Sequence, residues 1–522
     1  MPQMLKGPAR PQKGQRQSVP APVGGLNARD SISEMPPTDA VLMVNWFPGT
    51  TAIQVRNGSQ TWATGLPGWA DSLFPYSAQG GGRKLFAASG TGIYDVTSTG
   101  AVGAAVVTGL ASVRGQSTNF GNVAAQWMYV VTGSDFPQLY NGSTWQQVTT
   151  VSAPISMTGG PASLTSLIQV YTWQGRLLFI EANSCRFHYL PVLQVGGALS
   201  TFDLASQFKM GGYLMAFADW NALTMNGPQD YAAFISSEGE VVVYQGNDPS
   251  LPGAWGLVGR FRIGRPVGRR CTVKYGADVL CITADGLTSL SQQQMDERSK
   301  AEVESVTTKI QNLINNDVQS YSGNFGWEVI LHPIGNKLIV NVPQLTDNTQ
   351  YQYVQQQLTG AWTKFTGWNA ACFALLGDTL YFGTNTKVVI ADIGQNDDGV
   401  PIQTDLCPAF NYFGDEGTLK NFQMFRPIFS SDAPVTALYA FQTDFRLSTP
   451  TGTLGVPAVA GSIWNVALWN VSAWSQGLAV RYAWQGSIGN GFCAALRIQT
   501  ISKAATVQLF SIDYQFEAGT GI

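Results

Sequence analysis

Only two histidines, His188 and His332, are present in the 522 residues. They lie far apart, each inside an apolar run, with no second histidine nearby. With no HExxH and no CxxC, that spacing argues against a zinc centre. The sequence contains no GxSxG elbow for a serine nucleophile and no GxxxxGK[ST] loop to cradle phosphates. The glycine run Gly80–Gly82 precedes a strand-like segment, so it lacks the helix N-terminus that would hold an anion. Glycoside hydrolysis would need two facing carboxylates. Asp135, Glu238 and Asp285 instead stand in turn contexts and read as turn formers. The stretch "DIGQNDDG" (Asp392–Gly399) is dense enough in carboxylates to suggest Ca²⁺, but it lacks the EF-hand spacing and the closing Glu. An Asx-rich loop is the simpler reading. No residue is assigned a catalytic or metal-binding role, and no cofactor is expected.

One basic constellation remains, "RFRIGRPVGRR", with Arg260, Arg262, Arg265, Arg269 and Arg270. Arg260 and Arg262 share one face of a strand, with Phe261 and Ile263 on the other. Five guanidiniums this close need water, carboxylates or phosphate. A solvated edge or inter-subunit ion pairs would satisfy them, and so would non-specific contact with passing double-stranded DNA. No element suited to reading bases accompanies them. The net charge of −3 argues against attraction of the whole body to nucleic acid.

These residues must be positioned by a chain with only 12% charged residues, 57 glycines and 11% aromatics. That composition suits many short strands joined by Gly/Asn/Ser turns, with rings packed between sheets. The length calls for more than one domain or a large repeat architecture. No apolar run approaches 18 residues, so no membrane-spanning helix is expected. Six scattered cysteines read as buried free thiols rather than disulfides, which suits folding in a reducing compartment.

From about 80 to 395 the sequence repeats a hairpin pattern: an alternating strand, a Gly/Asn turn and a second alternating strand. Examples are "KLFAASGTGIYDV" (Lys84–Val96), "YAAFISSEGEVVVYQG" (Tyr231–Gly246) and "TLYFGTNTKVVIADI" (Thr379–Ile393). Several units close on a small-residue turn followed by Trp, as in "NGSTW", "PGAWG" and "TGAW". The spacing is that of four-stranded propeller blades. The expected fold is therefore all-β: a six- or seven-bladed β-propeller over 59–400, with a series of sandwiches as the alternative.

An amphipathic helix is expected within Ser291–Asn316. Its stripe of Val303, Val306, Ile310, Leu313 and Ile314 would pack on the propeller or a neighbouring subunit. Residues 401–522 read as a separate antiparallel β domain. Within it, Trp464, Trp469 and Trp474 are rings either docked in pockets or exposed to a host or partner. Residues 1–22 read as a disordered basic tail.

Residues 23–58 form a segment of different style, "LNARDSISEMPPTDAVLMVNWFP" at its centre. Val41–Phe47 is expected to strap onto its own propeller. The residues before about 35 can either do the same or serve as a docking segment. The docking candidates are Leu26, Arg29, Asp30, Ile32, Met35 and Trp46.

The stretch Val23–Gly58 resembles the N-terminal signature of the tail nozzle, or packaged-DNA stabilisation, proteins of short-tailed bacteriophages. The resemblance continues through "KIQNLINN", "NFGWEVILHPIGNKLIVNVPQ" (Asn324–Gln344), "YVQQQLTGAWTKFTGWNAACFALLGDTLYFGT" (Tyr353–Thr384), "FRPIFSSD" and "GSIWNVALWNVSAW". These patches span most of the chain in the family's order. The resemblance implies a virion protein assembled in the host cytoplasm, not an enzyme. It implies a homo-oligomeric ring, usually a hexamer, below the adaptor that joins the portal. That ring extends the DNA channel, retains the packaged genome, supports its ejection, and carries or meets tail fibres or a tip protein. The runner-up is a tail-associated propeller that binds or hydrolyses glycan in receptor recognition. A third possibility, a cellular interaction propeller, predicts a stable monomer.

Overall fold

In the computed structural model, residues 14–123, 125–224, 227–251, 253–291, 305–344, 349–432, 435–456, 479–481 and 483–519 are described. They form an all-β protein in two compact units. One comprises 58–357 with 366–394; the other joins the sequence up to 57 with 358–365 and 395–522.

The first unit has a propeller-like arrangement. Four small sheets follow one another along the chain, each a meander of short antiparallel strands. The first holds Gln116–Gly121, Gln126–Val131, Gln138–Tyr140 and Trp145–Gln147. The second runs from Leu167–Trp173 to Gly197–Asp203, with Met157–Gly159 added in parallel. The third comprises Leu214–Thr224, Gly227–Ser236, Glu240–Gly246 and Trp255–Arg262. The fourth has three strands, Thr272–Tyr275, Asp278–Thr283 and Gly286–Ser289.

Four separate blades are fewer than the six or seven expected. The other hairpins of this unit do not stand alone, because long strands bridge them. Ser59–Ser77 pairs through its first half with Thr379–Ala391 and through its second half with Arg83–Ser89. The two hairpins on either side are thereby fused into one continuous sheet.

The Trp that follows each small-residue turn has a packing role. Trp255 stacks on Tyr244 with ring centroids 5.1 Å apart and 8° between planes, and Trp145 meets Phe86 at 5.0 Å. Trp255 and Tyr244 belong to a core with Ile168, Phe187, Phe217 and Phe234, drawn from the second and third blades. Such ring pairs add about 0.5–1.5 kcal/mol each beyond burial.

The helix spans Gln311–Tyr321 and buries Ile314 and Val318. It ends beyond the expected Asn316; at the other end of the expected span Leu290–Ser291 are helical, and residues 292–304 lie outside the described residues. In "SVTT" the Ser305, Thr307 and Thr308 hydroxyls bond locally: Ser305 Oγ accepts from Thr307 N, and Thr308 Oγ1 donates to Ser305 O. These local bonds compete with helix and leave a 3₁₀ turn at Thr308–Ile310. Val303 lies outside the described residues.

In the second unit, two sheets pack face to face. One is built on Lys420–Ser431 and Val507–Ala518, which pair along their length. The other runs Asp39–Val44, Val400–Pro408, Ala494–Ser502, Val435–Thr443 and Gly452–Val456. Phe425 meets Tyr439 at 4.8 Å and Phe422 meets Phe441 at 5.3 Å, closing the space between the sheets.

Part of the expected disordered tail is ordered. Gln15–Pro20 adds to the edge of Val507–Ala518 and buries Val19. A sheet edge offers unpaired backbone groups to any extended segment, so a polar sequence with one apolar anchor suffices. Residues 1–13 and the three tryptophans Trp464, Trp469 and Trp474 lie outside the described residues.

Candidate functional site

The first strands of successive blades lie side by side in a cycle. Gln116–Gly121 lies against Leu167–Trp173, which neighbours Leu214–Thr224, then Thr272–Tyr275, Glu328–His332, Cys372–Leu376 and Ser59–Ser77, which returns to Gln116–Gly121. Along this axis lie two connected recesses, of about 240 and 470 Å³, which share Gly115, Gln116, Arg269 and Arg270.

Arg270 sits between them and is largely buried. Its Nη2 donates to Ser72 Oγ at 2.6 Å, to Gly115 O at 2.9 Å and to Asp71 O at 3.2 Å. Its Nη1 lies 3.6 Å from Glu328 Oε2, which also accepts from Phe373 N at 2.8 Å. Burial pushes the Glu328 carboxyl above its ordinary value, and Arg270 offsets part of that shift. Nearby, burial pushes the Cys372 thiol up to about 12, and its Sγ donates to Ala70 O. A thiol held that high is inert as a nucleophile. Arg114 Nε pairs with Asp71 Oδ2 at 3.1 Å, and its guanidinium lies 4.4 Å from the Phe325 ring centre. Asp71 and Glu328 near the axis are thus each held by an arginine, and Asp219 on the inner strand Leu214–Thr224 pairs with Lys274 at 3.0 Å.

The five arginines singled out in the sequence do not form one patch. Arg260 and Arg262 are exposed on the outermost strand of the third blade, with Phe261 and Ile263 buried behind them, as the alternation predicted. Arg265 pairs with Glu238 at 2.5 Å. Arg269 opens into the larger recess, and Arg270 turns inward. The link Gly264–Gly268, with Pro266 between its glycines, separates the last two from the strand and breaks the period of two.

The N-terminal candidates divide in the same way. Leu26, Met35 and Trp46 are buried within their own unit. Gly25, at φ +81°, lies so close to Trp362 that a Cβ would meet its carbonyl oxygen at 2.5 Å. Asn27 ties the turn together: its Nδ2 donates to Asp30 and Asp39, and its Oδ1 accepts from the Arg29 and Asp30 amides. Arg29 pairs with Asp30 at 2.7 Å. The loop from Arg29 to Glu34 projects outward and carries Ile32, which is 36% exposed.

Among the other polar candidates, Asp135 accepts from the Ala111 and Ser112 amides and from Thr132, the work of a turn former. His188 is buried beside Glu181 and Thr201, and burial holds its pKa low. The Asp392–Gly399 carboxylates go to separate partners, Asp397 to Arg56 and Asp392 to Lys337 and His332. Among the described residues no group of three metal-ligating side chains occurs. All six cysteines are free and five are buried.

The Asp392 site makes a testable contribution. Burial raises its pKa, but His332 at 3.5 Å and Lys337 at 2.7 Å outweigh burial and hold it below the ordinary value. A carboxyl held low stabilises the fold above its unfolded-state pKa and loses that contribution as pH falls through the folded value. Asp392→Asn is expected to lower the urea midpoint at pH 7 and to flatten its decline below about pH 4. An unchanged acid limb would show that the site contributes nothing to stability.

Arg114, Asp71, Phe325 and Glu328 were missed by sequence reasoning. Glu328 alone left a trace, as a single carboxylate inside the apolar run "GWEVILH".

No family model matches the chain, and no curated protein matches it. Solved structures give distant likenesses. A BBS1N chain in complex with ARL6DN is 10% identical, covering 64% of this chain and 97% of its own, with a TM-score of 0.38. PorZ of the type-IX secretion system of Porphyromonas gingivalis is 12% identical, covering 70% and 43%, with a TM-score of 0.36. A glycoside hydrolase family 43 arabinoxylan arabinofuranohydrolase from Bacillus subtilis is 10% identical, covering 91% and 95%, with a TM-score of 0.25. At these values the likenesses speak to neither activity nor partner.

Proposed function

We propose that the chain is a non-catalytic virion component: a tail nozzle or hub protein of a short-tailed bacteriophage. In this reading it assembles as a homohexameric ring below the portal adaptor, extends the DNA channel, retains the packaged genome and supports fibre or tip attachment. The sequence resemblance motivates the reading. The observation that carries it is the division of labour among the charged groups. Among the described residues, Asp71 and Glu328 at the axis are held in arginine pairs and Asp219 on a neighbouring inner strand is held by Lys274. Arg260 and Arg262 face outward on an edge strand, where phosphate can reach them. The same arrangement weighs against the hydrolytic version of the runner-up. As a finer point of fold, the seven first strands around the axis suggest seven blades, two of them fused through Ser59–Ser77.

The ring is tested by native mass measurement of the purified chain, alone and mixed with the adaptor. A sixfold assembly in at least the mixture is expected; a monomer in both overturns the reading. Ile32→Asp, on the projecting loop, is expected to weaken adaptor binding at least about tenfold with circular dichroism unchanged.

A further inference from the structure

We propose that the larger axial recess, lined by Arg269 together with Gln116, Ser134 and Ser322, binds the carboxylate of an acidic saccharide. The lining residues of this recess of about 470 Å³ include three arginines and no Asp or Glu. Two of the arginines are committed, Arg114 to Asp71 and Arg270 to Glu328. Arg269 has no carboxylate partner among the described residues, and its backbone oxygen accepts from Gln116 Nε2 at 3.2 Å, which fixes the main chain beneath it.

The space around its head is kept open by Gly133, at φ +78°. A Cβ there would stand 3.2 Å from Arg269 Nη1 and 2.7 Å from Ile168 Cγ2. A planar guanidinium without a partner matches a carboxylate through two parallel N–H···O bonds. The surrounding hydroxyls and amide both donate and accept, as sugar hydroxyls require. The volume lies in the range of small-ligand sites and fits one or two sugar rings. Phosphate would use the same charge but has no need of the hydroxyl-rich wall. The site is built within one chain, so it stands or falls apart from ring assembly.

The test is titration calorimetry of the full chain with glucuronate, N-acetylneuraminate, glucose and inorganic phosphate. Saturable binding of at least one acidic sugar is expected, with glucose silent and phosphate at least about tenfold weaker. Arg269→Gln should weaken acid-sugar binding at least about tenfold without altering the thermal midpoint, because its guanidinium makes no hydrogen bond or ion pair among the described residues. Ser134→Ala should weaken it severalfold. No acid-sugar binding, binding indifferent to Arg269→Gln, or phosphate binding as tight as the sugar acid each overturns the proposal.

Discussion

Deletion of residues 1–45 is expected to unfold the unit built on Lys420–Ser431 and Val507–Ala518, while the propeller-like unit stays folded. The deletion removes Gln15–Pro20 and Asp39–Val44, each hydrogen-bonded to a strand of that unit. It also removes the buried side chains of Val19, Leu26, Met35 and Met43. Each such side chain contributes about 1.5–3 kcal/mol when fully buried, so four of them approach the whole 5–15 kcal/mol stability of a typical domain. Hydrogen exchange followed by mass spectrometry reads the result strand by strand. Protection should vanish in Val507–Ala518 and persist in Leu167–Trp173. Retained protection in both would show that the N-terminal strands are dispensable. A failed adaptor contact in such a deletion would therefore report lost structure, whereas Ile32→Asp isolates the loop.

Arg270→Met is expected to destabilise the propeller-like unit by about 3–5 kcal/mol, the cost of stranding a buried partner charge. Glu328 would lose its counter-ion, and the Ser72 hydroxyl and the Gly115 carbonyl would lose their donor. Adding Glu328→Gln should restore part of the loss, because the pair is then removed together. The deficit should also shrink in acid. Glu328 already titrates above its ordinary value, and without Arg270 it rises further. A carboxyl raised in the folded state contributes stability below its unfolded pKa and loses it as pH rises through the folded one. Urea titrations of the single and double variants between pH 4 and 8 measure all three effects; equal midpoints for Arg270→Met and Arg262→Met would refute the structural role. Arg262 is exposed, so its replacement should stay within about 0.5 kcal/mol.

These two arginines show what was legible. Arg262 lies in an alternating strand, so its outward direction follows from the period of two. Arg270 follows a Gly-containing link, and its partners come from segments remote in sequence that only the closed cycle of first strands brings together. The hairpins and their closing tryptophans were readable because turn and alternation are local. The blade count was not, because it depends on whether a long strand such as Ser59–Ser77 bends through one sheet or two. The strap was recognisable as a distinct style, but its pairing with Val400–Pro408 was invisible at such separation. The Arg269 recess was hidden inside what looked like a uniform basic run; only geometry sets Arg269 on a recess, apart from Arg265 and Arg270, which pair with Glu238 and Glu328.

The unit that joins residues up to 57 with 395–522 also imposes a schedule on synthesis. Its first strands leave the ribosome long before the strands they pair with. At about 5–20 residues per second, the roughly 340 residues between them take on the order of 20–70 s to make. During that interval the edge of Asp39–Val44 that pairs with Val400–Pro408 in the finished fold is unfilled, open to pairing with the same segment of another nascent chain. Slow translation or scarce chaperones should therefore raise aggregation through this segment, even though the finished fold hides it.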